Sequence, residues 1–265
     1  MTWARRSTAA VALGLLLVSL QLTDASGVTF GRIVERPQKS APWVLPMYIE
    51  SGTGSAFICS SVLIHPRVVL TAAHCIAAAE GHAASVRVGG DRLGTGRVIA
   101  IERRLAHPSY DPQTLQSDLG LLVLKTPVRA NAVVRMQTPW ARSPSGRSVL
   151  FGWGLTEQDV LTGHLRSLQV IPERADALRG FGGLFDSELM IAVGHWRQAE
   201  GVFAGACNGD SGGPLLRYTS RGRPVLIGIA SFGAASCVAA SPSVYTRVLP
   251  HYDWIRGSID TVLRS

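Results

Sequence analysis

Three short motifs, far apart in the chain, restrict what it can fold into more than any other feature. In chain order they are Thr71-Ala72-Ala73-His74-Cys75, Ser117-Asp118-Leu119-Gly120-Leu121-Leu122 and Gly209-Asp210-Ser211-Gly212-Gly213-Pro214. A serine hydroxyl is a weak nucleophile at neutral pH, so it needs a base to take its proton and a carboxylate to hold that base in one tautomer. Each motif alone is more typical of a turn, a packed histidine or a capping aspartate. Together, in this order, they predict an acyl-transfer site.

The chain resembles the trypsin/chymotrypsin family of serine proteases from Ile33 to its C-terminus. The marks that carry the resemblance, besides the three motifs, are Arg32-Ile33-Val34, Phe151-Gly152-Trp153-Gly154, Ser231-Phe232-Gly233, Pro242-Ser243-Val244-Tyr245-Thr246-Arg247-Val248 and Asp253-Trp254-Ile255. The resemblance implies two six-stranded antiparallel β-barrels with the active site between them and a terminal helix near 250–263. It also implies a protease domain over 33–265, with subdomains at roughly 33–135 and 136–250.

The pattern of apolar residues independently favours an all-β protein. Short apolar or alternating runs separated by turn residues predict a sandwich or a barrel. The runs are 61–64, 67–71, 85–88, 98–101, 119–124, 148–151, 165–171, 189–193, 214–217, 225–231 and 244–248. A length of 265 residues, with 46% hydrophobic and 17% charged, is ordinary for a folded soluble chain and narrows the class no further.

The N-terminus has the pattern of a secretory signal. Arg5 and Arg6 precede an apolar run over 9–22, which is shorter than the ~20 residues of a membrane helix, and cleavage is expected after Ala25. We therefore predict a signal peptide over 1–25 and a secreted protein, extracellular or periplasmic, without stable membrane insertion after cleavage. The alternative is a signal anchor.

The resemblance assigns the catalytic roles. Ser211 would be the nucleophile, His74 its base, and Asp118 the carboxylate that orients His74. The backbone N–H groups of Gly209 and Ser211 would form the oxyanion hole. Ser231 would support Asp118, and with Phe232 and Gly233 it would align the substrate.

The specificity pocket would be formed by Gly205, Ala206, Gly233 and Ser243. Gly205 stands where a trypsin-like enzyme has an aspartate, and burying a substrate cation against an uncharged floor is costly. Ser243 would shorten the floor. We predict a preference for small to medium apolar side chains, with large aromatic side chains as the alternative.

The resemblance also implies a zymogen with a propeptide over 26–32. Cleavage after Arg32 would free the α-amino group of Ile33 to pair with Asp210. Glu35 and Arg36 stand where the family most often has glycines, so an ordered N-terminus without insertion is the alternative. Because an apolar pocket should cut poorly after arginine, a separate trypsin-like protease is expected to activate the chain.

The four cysteines are paired by resemblance as Cys59 with Cys75 and Cys207 with Cys237; free buried thiols are the alternative. No cofactor and no metal are expected. The stretch 89–94 is short and poor in carboxylates, which argues against calcium, and the histidines lack ligand spacing.

The chain is basic, with a formal net charge of +8 that falls to +6 without residues 1–32. No arginine cluster with interleaved aromatic residues indicates nucleic-acid binding. The expected partners are protein or peptide substrates and the activating protease, and we expect a monomer. The predicted function is a secreted serine endopeptidase. The alternatives are a catalytically silent binding protein on the same scaffold and an esterase with the same triad.

Overall fold

The computed structural model describes residues 28–173, 175–234 and 236–264. Its strands are Arg32–Ile33 (β1), Val44–Ser51 (β2), Gly54–His65 (β3), Val68–Thr71 (β4), Ala83–Val88 (β5), Arg97–Ala106 (β6), Gly120–Leu124 (β7), Arg135–Met136 (β8), Ser148–Gly152 (β9), Arg166–Pro172 (β10), Met190–Arg197 (β11), Val202–Ala204 (β12), Pro214–Tyr218 (β13), Pro224–Phe232 (β14) and Ser243–Arg247 (β15). The α-helices are Pro37–Ser40 (α1), Ala73–Ala78 (α2) and Tyr252–Arg264 (α3), with 3-10 helices at Ala130–Ala132, Ala175–Leu184 and Leu249–His251.

The first barrel is closed by six antiparallel strands in the order β2-β3-β4-β7-β6-β5. β2 and β3 form a long hairpin, in which Ser51 pairs with Gly54 across a tight turn. Every residue of β4 and β7 is buried, which explains why their sequences are continuous apolar runs rather than alternating ones. Each of these two strands adjoins a catalytic candidate in sequence, because β4 ends shortly before His74 and β7 begins two residues after Asp118.

The second barrel is formed by β9, β10, β11, β13, β14 and β15. The sheet order β10-β9-β13-β14-β15-β11 is closed by pairing between β10 and β11. The short strands β1, β8 and β12 add to its edges through β10, β14 and β11. The two predicted six-stranded barrels are therefore confirmed.

The terminal helix α3 packs on the first barrel, although it follows the second in the chain. Ile255, Ile259 and Val262 recur at helical spacing and belong to the same buried cluster as the first-barrel strands. The predicted C-terminal helix is confirmed. None of the helices in the described ranges is long and apolar enough to cross a membrane.

Each apolar run that the sequence marks as a strand coincides with an observed strand, with shifted ends. β2 is absent from the predicted set because Pro46 interrupts its pattern and proline is unusual inside sheets. The signal peptide over 1–25 and the beginning of the propeptide fall outside the described residues. Residues 28–32 are described, and they belong to the folded domain.

Candidate active site

The histidine of the first motif lies in the first turn of α2. His74 Nδ1 is 2.7 Å from Asp118 Oδ2, and the backbone N–H of His74 donates to Asp118 Oδ1 at 2.9 Å. Because an ionised carboxylate can only accept, the proton of neutral His74 lies on Nδ1. The Nε2 atom therefore keeps its lone pair and is the atom that can take a proton.

Asp118 is fully buried, and residues of the second barrel complete its surroundings. Ser231 Oγ donates to Asp118 Oδ2 at 2.6 Å, and Thr246 Oγ1 donates to the Asp118 carbonyl at 3.1 Å. Ser231 is among the predicted residues. Thr246 is not, although it lies in the motif 242–248. The Ser231 hydroxyl and the two His74 donors offset the loss of water around the buried carboxylate, and Thr246 satisfies the backbone carbonyl.

Ser211 lies in the tight turn that precedes β13. Gly209 and Gly212 have φ angles of 91° and 78°, a conformation that residues with side chains rarely adopt. The Ser211 carbonyl accepts from Ser60 N at 2.9 Å. Ser60 adjoins the Cys59–Cys75 disulfide, so the turn is tied to the segment that begins α2.

The serine and the histidine are not hydrogen-bonded to each other within the described ranges. His74 Nε2 instead lies 3.6 Å from Cys75 Sγ. Catalytic hydrogen bonds are often long or misaligned before a substrate binds. The backbone N–H groups of Gly209 and Ser211 donate to no other described residue, so both are available to an incoming oxyanion.

A cavity of about 280 Å³ opens beside Ser211. Its lining residues are Ala206, Cys207, Asn208, Ser211, Ala230, Ser231, Phe232, Gly233, Ala234, Cys237 and Val244, and none of them carries a charge. Of the predicted pocket residues, Ala206 and Gly233 line this cavity, whereas Gly205 and Ser243 do not. Ser243 adjoins the lining, because Ala206 N donates to Ser243 Oγ at 2.9 Å. A Cβ atom on Gly205 would come within 2.4 Å of that same oxygen. Ser243 therefore fills the space in which a longer side chain at Gly205 would stand.

Asp210 is buried beneath the serine turn. Its Oδ1 accepts from Gly154 N and its Oδ2 from Cys207 N, both at 2.8 Å. Burial raises the pKa of Asp210 to about 7, and the two backbone hydrogen bonds oppose that rise. A cation placed beside this carboxylate would favour its ionised form.

Comparison with known proteins agrees with this geometry. The family model described as "Trypsin" matches residues 31–255, which is most of the chain. The chain belongs to the trypsin family of serine proteases. It is a serine endopeptidase, a hydrolase of peptide bonds.

Relatives in this family come from several animals. The chain is 34% identical to "Cathepsin G" of Homo sapiens over 261 residues, covering 95% of this chain and 94% of the relative. It is 29% identical to "Trypsin 5G1" of Aedes aegypti, covering 85% and 84%. It is 30% identical to "Phenoloxidase-activating factor 3" of Holotrichia diomphalia, covering 82% and 69%.

Both disulfides expected from the trypsin family are present, Cys59–Cys75 and Cys207–Cys237. The described residues hold two clusters with metal-ligand chemistry, and each contains both cysteines of a disulfide. A disulfide sulfur is not a thiolate and does not ligate as one. Neither cluster fits a metal.

The segment ahead of the predicted activation junction is inserted into the second barrel. Val28 is fully buried, in a cluster that includes Leu150 and Tyr245. Thr29 N donates to Gly205 O at 2.9 Å, and Gly205 N donates to Thr29 Oγ1 at 2.7 Å. The pocket floor is thus held by a segment that the sequence reasoning assigned to the propeptide.

Ile33, by contrast, lies in β1 at the edge of the sheet. Arg32 pairs with Ser167 and Ile33 with Arg166. In the uncleaved chain Ile33 is paired in β1 rather than placed beside Asp210, so cleavage after Arg32 stays a prediction. Removal of residues 26–32 as a propeptide would also remove the hydrogen bonds between Thr29 and Gly205.

A further cavity, of about 820 Å³, is lined by residues of β1, β9 and β10 among others. Phe30, Arg32, Phe151 and Tyr218 are among its lining residues. No triad residue lines it.

Proposed function

We propose that this trypsin-family protein is a secreted endopeptidase that acts through an acyl-enzyme and cuts after small to medium apolar residues. Ser211 is the nucleophile, His74 the general base and Asp118 the carboxylate that orients it. The observation that carries the specificity is the uncharged pocket shortened by Ser243 Oγ. A pocket without a carboxylate leaves a substrate lysine or arginine unpaired, which is unfavourable.

The chemistry follows from the proton on His74 Nδ1. Ser211 Oγ attacks the scissile carbonyl carbon while its proton passes to His74 Nε2, and Asp118 stabilises the resulting imidazolium. The tetrahedral oxyanion is met by the N–H groups of Gly209 and Ser211, each worth about 3 kcal/mol in the transition state. His74 then gives its proton to the leaving amine. A water molecule, deprotonated in the same way, hydrolyses the acyl-enzyme.

The test is cleavage of a peptide library by the matured chain beside its Ser211→Ala variant, with cut sites identified by mass spectrometry. Cuts after Ala, Val, Leu or Met that vanish in the variant would support both the nucleophile and the pocket. Cuts after Arg or Lys would contradict the proposed pocket. Hydrolysis of small esters without any peptide cleavage would favour the esterase alternative.

The binding-protein alternative is less supported than the protease. Members of a scaffold that lose catalysis are expected to lack a catalytic group, whereas His74, Asp118 and Ser211 are all present and the hydrogen bonds of Asp118 are complete. A folded, matured chain that cleaves nothing in the library would restore this alternative.

We further propose that activation frees the α-amino group of Val28, not that of Ile33. Val28 is buried and packs in the same cluster as Tyr245, whose pKa is raised by burial and by the nearby charge of Asp210. An ammonium group at Val28 would therefore lie close to a buried carboxylate whose pKa no cation among the described residues lowers. Pairing would replace an unfavourable buried charge by an ion pair.

Cleavage before Val28 instead of Ile33 also changes which kind of protease is expected to activate the chain. The bond ahead of Val28 follows Gly27, and glycine offers no cation to a trypsin-like pocket. An activating protease that accepts glycine is therefore favoured over the trypsin-like one expected from Arg32.

Two engineered precursors distinguish the junctions. In one, an enteropeptidase site is placed directly before Val28, and in the other directly before Ile33, so that each chain is released with a defined N-terminus. We expect the chain beginning at Val28 to be active and the chain beginning at Ile33 to be inactive and less stable. Activity of the Ile33 chain alone would instead support activation by cleavage after Arg32.

A further inference from the structure

Two histidines brace the turn that presents Asp118. Leu119 N donates to Ser117 O at 2.8 Å, which closes a three-residue turn with Asp118 at its centre. Ser117 has a φ of 51°, a left-handed conformation that is unfavourable for a residue with a side chain. The turn therefore needs support from its surroundings.

His251, in the 3-10 helix that leads into α3, supplies support on one side. Its Nδ1 is 2.8 Å from Arg247 O, and its Nε2 is 3.1 Å from Ser117 Oγ. A carbonyl oxygen can only accept, so Nδ1 carries the proton and Nε2 accepts from the Ser117 hydroxyl. Both His251 and Ser117 are buried. Burial also lowers the pKa of His251, which favours this neutral form.

His107 supplies support on the other side. Its backbone N–H donates to Leu119 O at 2.9 Å. Its ring packs edge-on against His251, with centroids 4.9 Å apart, and against Trp254 at 4.6 Å. The residues before and after Asp118 are thus held by one cluster that is anchored at the start of α3.

We propose that His251 and Ser117 are positioning residues that fix the Asp118 turn, so that the carboxylate meets both the backbone N–H and Nδ1 of His74. Neither residue touches the substrate. The inference rests on the proposed function, because a displaced Asp118 would impair catalysis only where Asp118 orients the base. It links the position of Asp118 to the 3-10 helix that leads into α3.

The main test is Ser117→Ala, which removes the hydroxyl that His251 accepts from. We expect kcat to fall about fivefold with KM unchanged, since one buried hydrogen bond contributes on the order of 1 kcal/mol, which is about fivefold in rate. The matched control is Ser85→Ala, which removes another buried hydroxyl, bonded to Glu50 in the first barrel. It should lower stability without changing kcat.

The variant Ser117→Gly distinguishes the loss of the hydroxyl from strain in the backbone. Glycine adopts a φ of 51° without strain, so this variant should remain folded even where Ser117→Ala does not. We expect the same loss of kcat. Full kcat in Ser117→Gly would overturn the proposal, because the hydroxyl would then have no positioning role.

The position of Asp118 against His74 can also be measured without catalytic turnover. In the Ser211→Ala background, the His74 Nδ1 proton is followed by proton NMR. Ser117→Ala and His251→Phe should shift and broaden this resonance, and Ser85→Ala should not. An unchanged resonance in both variants would contradict the brace. An inactive parent that still shows the expected NMR changes would instead count against the proposed function alone.

Discussion

At the scale of single residues, Ser243 is the side chain that we propose limits the depth of the specificity pocket. Its hydroxyl accepts from Ala206 N and occupies the space next to Gly205. None of the residues that line the cavity beside Ser211 carries a charge. Depth, rather than charge, is therefore the property that one substitution can change.

Ser243→Gly should deepen the pocket and shift preference towards large side chains. We expect the ratio of kcat/KM for a phenylalanine substrate to that for a valine substrate to rise about tenfold, since one methylene in such a pocket decides roughly 1–3 kcal/mol. Peptide p-nitroanilides that differ only at this residue measure the ratio. Ser236→Gly, on an exposed neighbouring loop, serves as the control. A ratio unchanged in Ser243→Gly would show that the floor lies elsewhere.

At the scale of elements, the features that can be predicted from the sequence are those that depend on neighbouring residues. A continuous apolar run predicts a buried strand such as β7, and short motifs identify His74, Asp118 and Ser211 by resemblance. Insertion of Val28 is different, because it depends on hydrogen bonds between Thr29 and Gly205, far away in the chain. Arg32-Ile33-Val34 resembles an activation junction locally, whereas the pairing of Arg32 and Ile33 with β10 depends on residues more than 130 positions away and could not be read from the motif.

The link between β3 and α2 gives a prediction at the same scale. The Cys59–Cys75 disulfide spans 16 residues, and a loop of that size corresponds to about 3 kcal/mol in the chain-entropy account. The double variant Cys59→Ala and Cys75→Ala should lose about that much unfolding free energy. Urea denaturation in the Ser211→Ala background measures it without self-digestion. A loss below ~1 kcal/mol would mean that packing, not the cross-link, holds α2 to the barrel.

At the scale of the whole molecule, activation should reverse how stability depends on the ionisation of Asp210. In the unprocessed chain its pKa is raised to about 7 by burial, while in the unfolded chain it is near the ordinary 3.8. Between these values the folded state binds the extra proton, so this group makes stability fall as pH rises. His107 acts in the opposite sense, because burial lowers its pKa in the folded chain to about 4, whereas the ordinary value is 6.5. Between these values the unfolded chain binds the extra proton, so this group makes stability rise with pH.

Asp210→Asn isolates the carboxylate from these other groups. In the unprocessed chain, the variant should gain stability relative to its parent between pH 4.5 and pH 7.5, because it never has to bury a charge. In the chain released at Val28, the new ammonium favours the ionised carboxylate, so the variant should lose stability relative to its parent at pH 7.5. Urea denaturation of both forms at both pH values, with Ser211→Ala throughout, gives the four differences. The same trend in both forms would mean that the Val28 amino group does not reach Asp210, and the carboxylate would then need another partner to hold the serine turn in its active shape.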